Sequence, residues 1–498
     1  MQKPAAFAPE DRGQPLYADR VRIYPQAVQG AVRRWKWTIL VLCLGLYYLL
    51  PWLRWDRGPG QPHQAVLVDM DKGRLFFFWI EVWPQEVYYL TGLLLLGALA
   101  IFAATALFGR VWCGFTCPQT VWTDLYMLVE RWIEGDRNAR MRRDAKPRWD
   151  GGDWGRKIGK HAAWIGIAAA TGGAWVMYFT DAPTLVMDAV SLRVPPATLG
   201  FMGLFTLSTY LLAGWAREQV CTYMCPWPRF QAAMLDDDSL AVSYRDWRGE
   251  PRGKARDAGA GDCVDCRACV NVCPTGVDIR DGLQLACINC GLCIDACDGI
   301  MGKLGRDPGL IAFETVGNLA SAAAATAAIP PGAARCAPGM AARRPVRIAR
   351  PRIYFYGGAM AMVGAVMLWA FVGRTDVGLE ALRDRSPLFV RLADGGIRNG
   401  YTLKISDRRA VSGRLAVAVE GLPSGTSWQV LNGREADAAG RPVVETRADG
   451  VAEFRLFVTT ASLGRPEEES TPVRIRLVQP DDGTERAAVG TIFLRPRT

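Results

Sequence analysis

Along residues 38–372 the chain alternates long apolar stretches with charged loops, and after residue 373 the pattern shortens to segments of a few residues. Five stretches reach, or nearly reach, the ~20 helical residues that a bilayer core of ~30 Å requires: Thr38–Leu53, Val87–Phe108, Ala162–Thr180, Pro195–Ala216 and Ile353–Val372. Trp35, Trp37, Trp52 and Trp55 bracket the first of them, as aromatic side chains do at a membrane interface. The Ala-rich run Ala320–Ile329 is too short to span and meets Pro330 and Pro331, so it reads as linker. Further on, Tyr401–Ser406, Arg414–Glu420, Ala452–Val458 and Val473–Val478 alternate or are rich in β-branched residues. The turn signals Pro423-Ser424-Gly425, Ala448-Asp449-Gly450 and Asp481-Asp482-Gly483 separate them, which predicts an all-β, Ig-like sandwich.

Charge orients the spans. The chain is 50% hydrophobic yet 22% charged, with a net charge of +10. Residues 1–37 hold seven Lys/Arg and Gly109–His161 hold eleven, whereas Asp181–Val194 holds only Arg193. Arg343, Arg344, Arg347, Arg350 and Arg352 stand directly before the last span. The positive-inside rule then predicts a multi-pass protein of the bacterial inner membrane, N-terminus cytoplasmic and C-terminal domain periplasmic. The basic residues flank apolar spans and form no aromatic-interleaved stripe, so nucleic acid is not an expected partner; membrane lipid is. Residues 1–30 are polar and contain Pro4, Pro9, Pro15 and Pro25, which argues against a cleavable signal peptide.

Fourteen cysteines and two histidines, His63 and His161, set the chemistry. Between spans four and five stands Cys263-x2-Cys266-x2-Cys269-x3-Cys273-Pro274, followed by Cys287-x2-Cys290-x2-Cys293-x3-Cys297. This doubled run is the spacing of bacterial two-cluster ferredoxins, in which the last cysteine of each run ligates the other cluster. Cys263, Cys266, Cys269 and Cys297 are thus expected to hold one [4Fe–4S] cluster, and Cys287, Cys290, Cys293 and Cys273 the second. Zinc sites use two close pairs instead of two four-cysteine runs. Asp298 stands where a second proline would follow Cys297, and its charge should lower the potential of the nearby cluster. The predicted order is a cytoplasmic segment 1–37, a membrane domain 38–216, a ferredoxin-like insert with linker 217–352, a fifth span 353–372 and the sandwich 373–498.

Two further pairs match each other: Cys113-Gly-Phe-Thr-Cys117-Pro118 and Cys221-Thr-Tyr-Met-Cys225-Pro226. Cysteines four apart share one helix face, and soft thiolates suit Cu(I), zinc or iron–sulfur iron. The bland alternative is that they are small residues packing helix ends; repetition of the C-x3-C-P signature after spans two and four favours a shared site, with Met224 as a further thioether. Cys43 and Cys336 belong to no array and read as incidental.

The segments Arg110-Val-Trp-Cys-Gly-Phe-Thr-Cys-Pro-Gln-Thr-Val-Trp-Thr-Asp and Cys221-Thr-Tyr-Met-Cys-Pro-Trp-Pro-Arg-Phe-Gln carry a resemblance, as does Gly276-Val-Asp-Ile-Arg-Asp-Gly-Leu-Gln. Together with Arg350-Pro-Arg and Asn399-Gly-Tyr-Thr-Leu-Lys-Ile they resemble the cytochrome c oxidase accessory proteins of the FixG/CcoG type, over nearly the whole chain. Residues 315–349 diverge. The resemblance implies a membrane iron–sulfur oxidoreductase that reduces Cu(II) and supplies Cu(I) for assembly of a cbb3-type oxidase. Oxidase subunits or copper chaperones would be its partners, and a cytoplasmic donor its electron source. The C-x3-C-P pairs also resemble NapH-type quinol-linked electron-transfer subunits, and a non-catalytic assembly scaffold is the third reading. No Gly-rich dinucleotide loop stands in a strand–helix context, so NAD(P)H or flavin would have to act through a partner.

Overall fold

The computed structural model describes residues 22–58, 61–257, 259–327, 347–409, 412–423, 425–446, 450–461 and 470–495. Cys336, Pro330, Pro331, Arg343, Arg344 and the turn residues Ser424, Ala448 and Asp449 lie outside them. Two compact units divide the chain near residue 365.

Four helices of the described residues are long and apolar enough to cross a membrane: Ala31–Trp52, Pro84–Phe108, Pro196–Ala216 and Pro351–Val372. The first starts at Ala31, not Thr38, so Arg33, Arg34 and Lys36 are helical and the expected segment boundary at residue 37 falls inside the helix. The third expected span lies in the helix Gly151–Val176, and it is not among the four. Its apolar part ends at Val176, leaving 15 residues from Ala162, about 22 Å at 1.5 Å per residue. Gly172 in this helix abuts the Pro196–Thr209 helix so closely that a Cβ there would stand 2.8 Å from the Met202 carbonyl oxygen. Small residues permit such approach between helices. The Ala-rich run expected to be linker continues a helix instead, Val316–Ala327. A small antiparallel sheet, Val66–Asp69, Arg74–Phe77 and Ile80–Val82, joins the first two apolar helices and was not anticipated.

The cysteine-rich insert is closed by its own ends. Leu240–Tyr244 pairs antiparallel with Ile311–Thr315, and between them run the short helix Ala268–Val272 and the helix Leu292–Leu304. The first apolar helix docks on this insert: the backbone N–H groups of Val32 and Arg33 donate to the Asp295 carboxylate at 3.2 and 2.7 Å. An acidic side chain at a helix N-terminus satisfies donors that lack partners and complements the helix dipole.

The second unit is the expected sandwich. One sheet orders Thr426–Leu431, Gly450–Thr460, Ile397–Asp407 and Val377–Arg383; the other orders Arg434–Ala436, Pro442–Glu445, Arg414–Glu420, Ser470–Val478 and Glu485–Leu494. Alternate residues Tyr401, Leu403 and Ile405 face Leu415, Val417, Ile475 and Leu477 in one core, the period-two pattern of strands with one buried face. The Asp482-Gly483 turn closes the last hairpin, with Gly483 at φ +69° and the Thr484 N–H on Asp482 Oδ1.

Candidate metal and redox centre

The two four-cysteine runs repeat each other in backbone conformation. Asp265 and Arg267 in the first run have φ of +52° and +54°, and Asn289 and Gly291, at the same steps in the second, have +60° and +69°. Alternating left-handed residues wrap three cysteines around one corner and turn successive N–H groups inward, a concavity suited to an anionic centre. For Arg267 the left-handed region costs ~1–2 kcal/mol, which the fold around the loop has to offset.

Cys273, Cys287, Cys290 and Cys293 line one cavity together with Cys269. Cys263, Cys269 and Cys297 are buried in one apolar cluster with Val242, Ile279 and Ile311, while Cys266 is exposed. Burial pushes the Cys297 thiol up to about 12, and Cys269, Asp298, Cys266 and Cys263 act on it in the same direction. Burial likewise raises Cys287 to about 12, partly countered by the Asn289 backbone N–H and by Arg110. Thiols held this high stay protonated without metal, so metal capture releases protons. Among the described residues no three such side chains converge into a preformed ligand set. The cavity, the inward N–H groups and the all-thiol donors nevertheless fit an iron–sulfur cluster better than a hard cation.

The C-x3-C-P pairs sit on a second structural repeat. Each apolar helix is broken by a left-handed residue, Gly109 at φ +66° and Arg217 at +46°. A single π turn follows, Trp112–Thr116 and Val220–Met224, closed by Cys117 N–H on the Trp112 carbonyl at 2.8 Å and Cys225 N–H on the Val220 carbonyl at 2.7 Å. Cys117-Pro118 and Cys225-Pro226 then start new helices. The expected α-helical face is thus a π turn, a feature frequent at functional sites. Arg217 tolerates the conformation that Gly109 takes freely because its guanidinium bonds the Gly214 carbonyl and Glu130.

The pairs face each other and the insert. Burial pushes Cys113 up to about 12, with Cys117, Cys221 and Cys225 all contributing, and Cys221 also to about 12. Cys113 Sγ donates to Gln231 Oε1 at 2.9 Å, and Gln231 donates in turn to Thr105. Cys113 shares an apolar core with Val272, Ile288, Cys290 and Leu292, against which Cys221 and Cys293 pack. Gly114 makes this possible: a Cβ there would lie 2.9 Å from the carbonyl oxygens of Ile288 and Asn289. On the other side Cys221, Met224 and Cys225 open into a cavity of about 250 Å³ with Leu285 and Ala286. Cys43 lies apart, in the first apolar helix.

Sequence reasoning missed the polar frame of this centre. Lys36 and Arg33 bind Asp124 at 3.4 and 2.8 Å, and Glu130 receives Arg140, Arg217 and Lys160 at 2.6, 2.9 and 3.5 Å. Asp124 and Glu130 are one percent exposed. Their spacing of six residues within a helix was the only hint, and partners in distant segments carry no sequence signature.

Comparison with known proteins agrees with this geometry. Residues 216–316 match a 4Fe–4S dicluster domain, 90–135 a 4Fe–4S binding domain, and 367–496 the Ig-like fold at the C-terminus of FixG. The chain is 48% identical to the nitrogen fixation protein FixG of Rhizobium meliloti, over 89% of this chain and 87% of that one. It is 45% identical to protein RdxA of Cereibacter sphaeroides over 93% and 95%, and 42% identical to RdxB of the same organism over 98% of each. With cluster-binding runs, apolar helices and a terminal Ig-like unit in one chain, this protein belongs to the FixG family of membrane-associated 4Fe–4S electron-transfer proteins.

Proposed function

We propose that the chain is an oxidoreductase that passes single electrons through two [4Fe–4S] clusters to Cu(II) at Cys113, Cys117, Cys221 and Cys225, releasing Cu(I) for assembly of a cbb3-type oxidase. The observation that carries this reading is the shared core of Cys113, Cys221, Cys290 and Cys293. In it, Cys263, Cys266, Cys269 and Cys297 hold one cluster, and Cys273, Cys287, Cys290 and Cys293 the other. Bound clusters supply one-electron carriers. The chain's own part is to hold the thiol turns against the second run through Gly114, and to offer ligands that favour the product. Cu(II) plus one electron gives Cu(I), the oxidation state soft thiolates prefer. Because burial holds Cys113, Cys117 and Cys221 protonated, copper capture releases protons and weakens as pH falls. The N-terminus and insert are cytoplasmic and the sandwich periplasmic in this reading, with a cytoplasmic donor and oxidase subunits or copper chaperones as acceptors. A reporter fused after Thr498 checks it: activity there in the cytoplasm refutes the orientation.

The test is a pair of double variants, Cys113→Ser/Cys117→Ser and Cys221→Ser/Cys225→Ser, purified anaerobically. Both should keep the two cluster signals in EPR and lose copper binding and electron transfer to copper. Unchanged copper reduction with all four replaced refutes the reading. One observation favours a second reading, a further cluster on the four thiols: the 4Fe–4S binding domain match spans Cys113 and Cys117. Loss of iron in the double variants would establish it.

A further inference from the structure

Arg110 is an exception in how this fold treats buried charge. Ten Lys and Arg side chains are buried among the described residues. Nine of them pair with carboxylates: Arg33 and Lys36 with Asp124, Arg140 and Lys160 with Glu130, and likewise Arg74, Arg143, Arg245, Arg280 and Arg350. Arg110, 6% exposed, does not. Its guanidinium donates only to neutral carbonyls, Leu285 at 2.5 Å, Cys287 at 2.9 Å and Pro228 at 2.8 Å. The ionisable groups acting on it are Cys113 and Cys287, one from each thiol set. A buried charge with no counter-charge is costly, and carbonyl dipoles offset only part of that cost. The missing negative charge is what metal–thiolate centres on either side would provide. Glu218, at the matching step of the second π turn, acts on Cys221 rather than on Arg110.

The other run has the opposite setting. Asp298 follows Cys297, Cys266 is exposed, and the nearby Arg280 is neutralised by Asp278 and Asp265. Reduction adds negative charge to an already anionic cluster, so a neighbouring cation raises the potential and a carboxylate lowers it. Burial of the second run opposes reduction there, and an uncompensated guanidinium offsets it.

We propose that Arg110 is the internal counter-ion shared by the centre at Cys273, Cys287, Cys290 and Cys293 and by the four-thiol site, and that it makes this cluster the higher-potential one. Electrons then run from the first run, where Cys266 is exposed, toward the thiols. The role is that of a positioning and potential-setting residue, and it rests on the copper reading above only for the direction of use.

The test is an EPR-monitored redox titration of the anaerobically purified full-length protein, as wild type, Arg110→Gln and Arg110→Lys. In Arg110→Gln the upper midpoint should fall and the lower stay. Electron partition between the clusters should shift about tenfold toward the first, which is about 59 mV for one electron. Arg110→Lys, which keeps the charge and loses the fork, should stay near wild type. Unmoved midpoints, equal shifts of both, or a Lys variant that falls as far as Gln each overturn the proposal. If Arg110→Gln fails to assemble, wild-type protein titrated with and without Cu(I) decides: anionic copper–thiolate formation must lower the upper midpoint alone, and an unmoved midpoint refutes the shared counter-ion. Failure to bind copper at all would sink the copper reading and leave the Arg110→Lys comparison to judge this one.

Discussion

Replacing Gly114 by Ala probes the contact between the thiol turn and the second cysteine run with a single methyl group. The new Cβ would stand 2.9 Å from the carbonyl oxygens of both Ile288 and Asn289, where ordinary contact begins at 3.4 Å. The obstacle is backbone on both sides, so roughly 0.5 Å of separation has to come from moving the π turn off the insert. Gly114 is not in the left-handed region, so Ala fits its local conformation; the reduced freedom of the unfolded chain is worth about 0.5–1 kcal/mol in favour of the variant. Overpacking costs ~1–3 kcal/mol, and the net expectation is a loss of about 1–2 kcal/mol confined to this junction. Gly166→Ala is the control: nothing lies within 4 Å of its Cβ position, and a helix-interior Gly to Ala change should stabilise by about 0.5–1 kcal/mol. Thermal loss of the cluster absorption in detergent measures the first effect. Stopped-flow transfer from pre-reduced clusters to Cu(II) measures the second, which should slow in Gly114→Ala with iron content unchanged. Stability and transfer equal to those of Gly166→Ala would refute the close approach as the link between the two centres.

Cys290→Ser should halve the iron from about eight to about four per chain and remove one EPR signal; a zinc-loaded, iron-free preparation with full activity would overturn the cluster assignment. Glu130 lies under opposing influences: burial pushes its carboxyl up, but Arg217, Arg140 and Lys160 outweigh it and hold it at about 2, below the usual 4.5. Its contribution, about 3 kcal/mol at 1.36 kcal/mol per unit, is present above pH 4.5 and disappears as pH falls through about 2. Glu130→Gln should forfeit this at neutral pH and flatten the acid limb of a stability profile; an unchanged profile would show that the three cations do not depend on it.

The parts legible in the sequence are those whose chemistry repeats at fixed local spacing. The ferredoxin runs are closed by cysteines three and four apart, and the sandwich strands declare themselves because a buried sheet face imposes a period of two. In the third expected span, hydropathy counts Gly172 only as weakly apolar, whereas the structure puts it at a close helix contact that no local pattern records. The first helix began seven residues early because Asp295 caps its N-terminus from more than 260 positions away.

Sequence alone thus determined which atoms are available: twelve thiols in two kinds of array, apolar helices around them and a terminal β unit. Tertiary structure alone decided their relations. That Cys113 and Cys221 pack against Cys290 and Cys293, that Gly114 lets two backbones touch, and that Arg110 is buried without a carboxylate all depend on contacts between segments far apart in the chain. The physical reason is range. Ligand spacing and amphipathic period are set within a turn or two of backbone. Burial, counter-charge and the distance between redox centres are sums over whatever the fold brings near, and no local pattern records them.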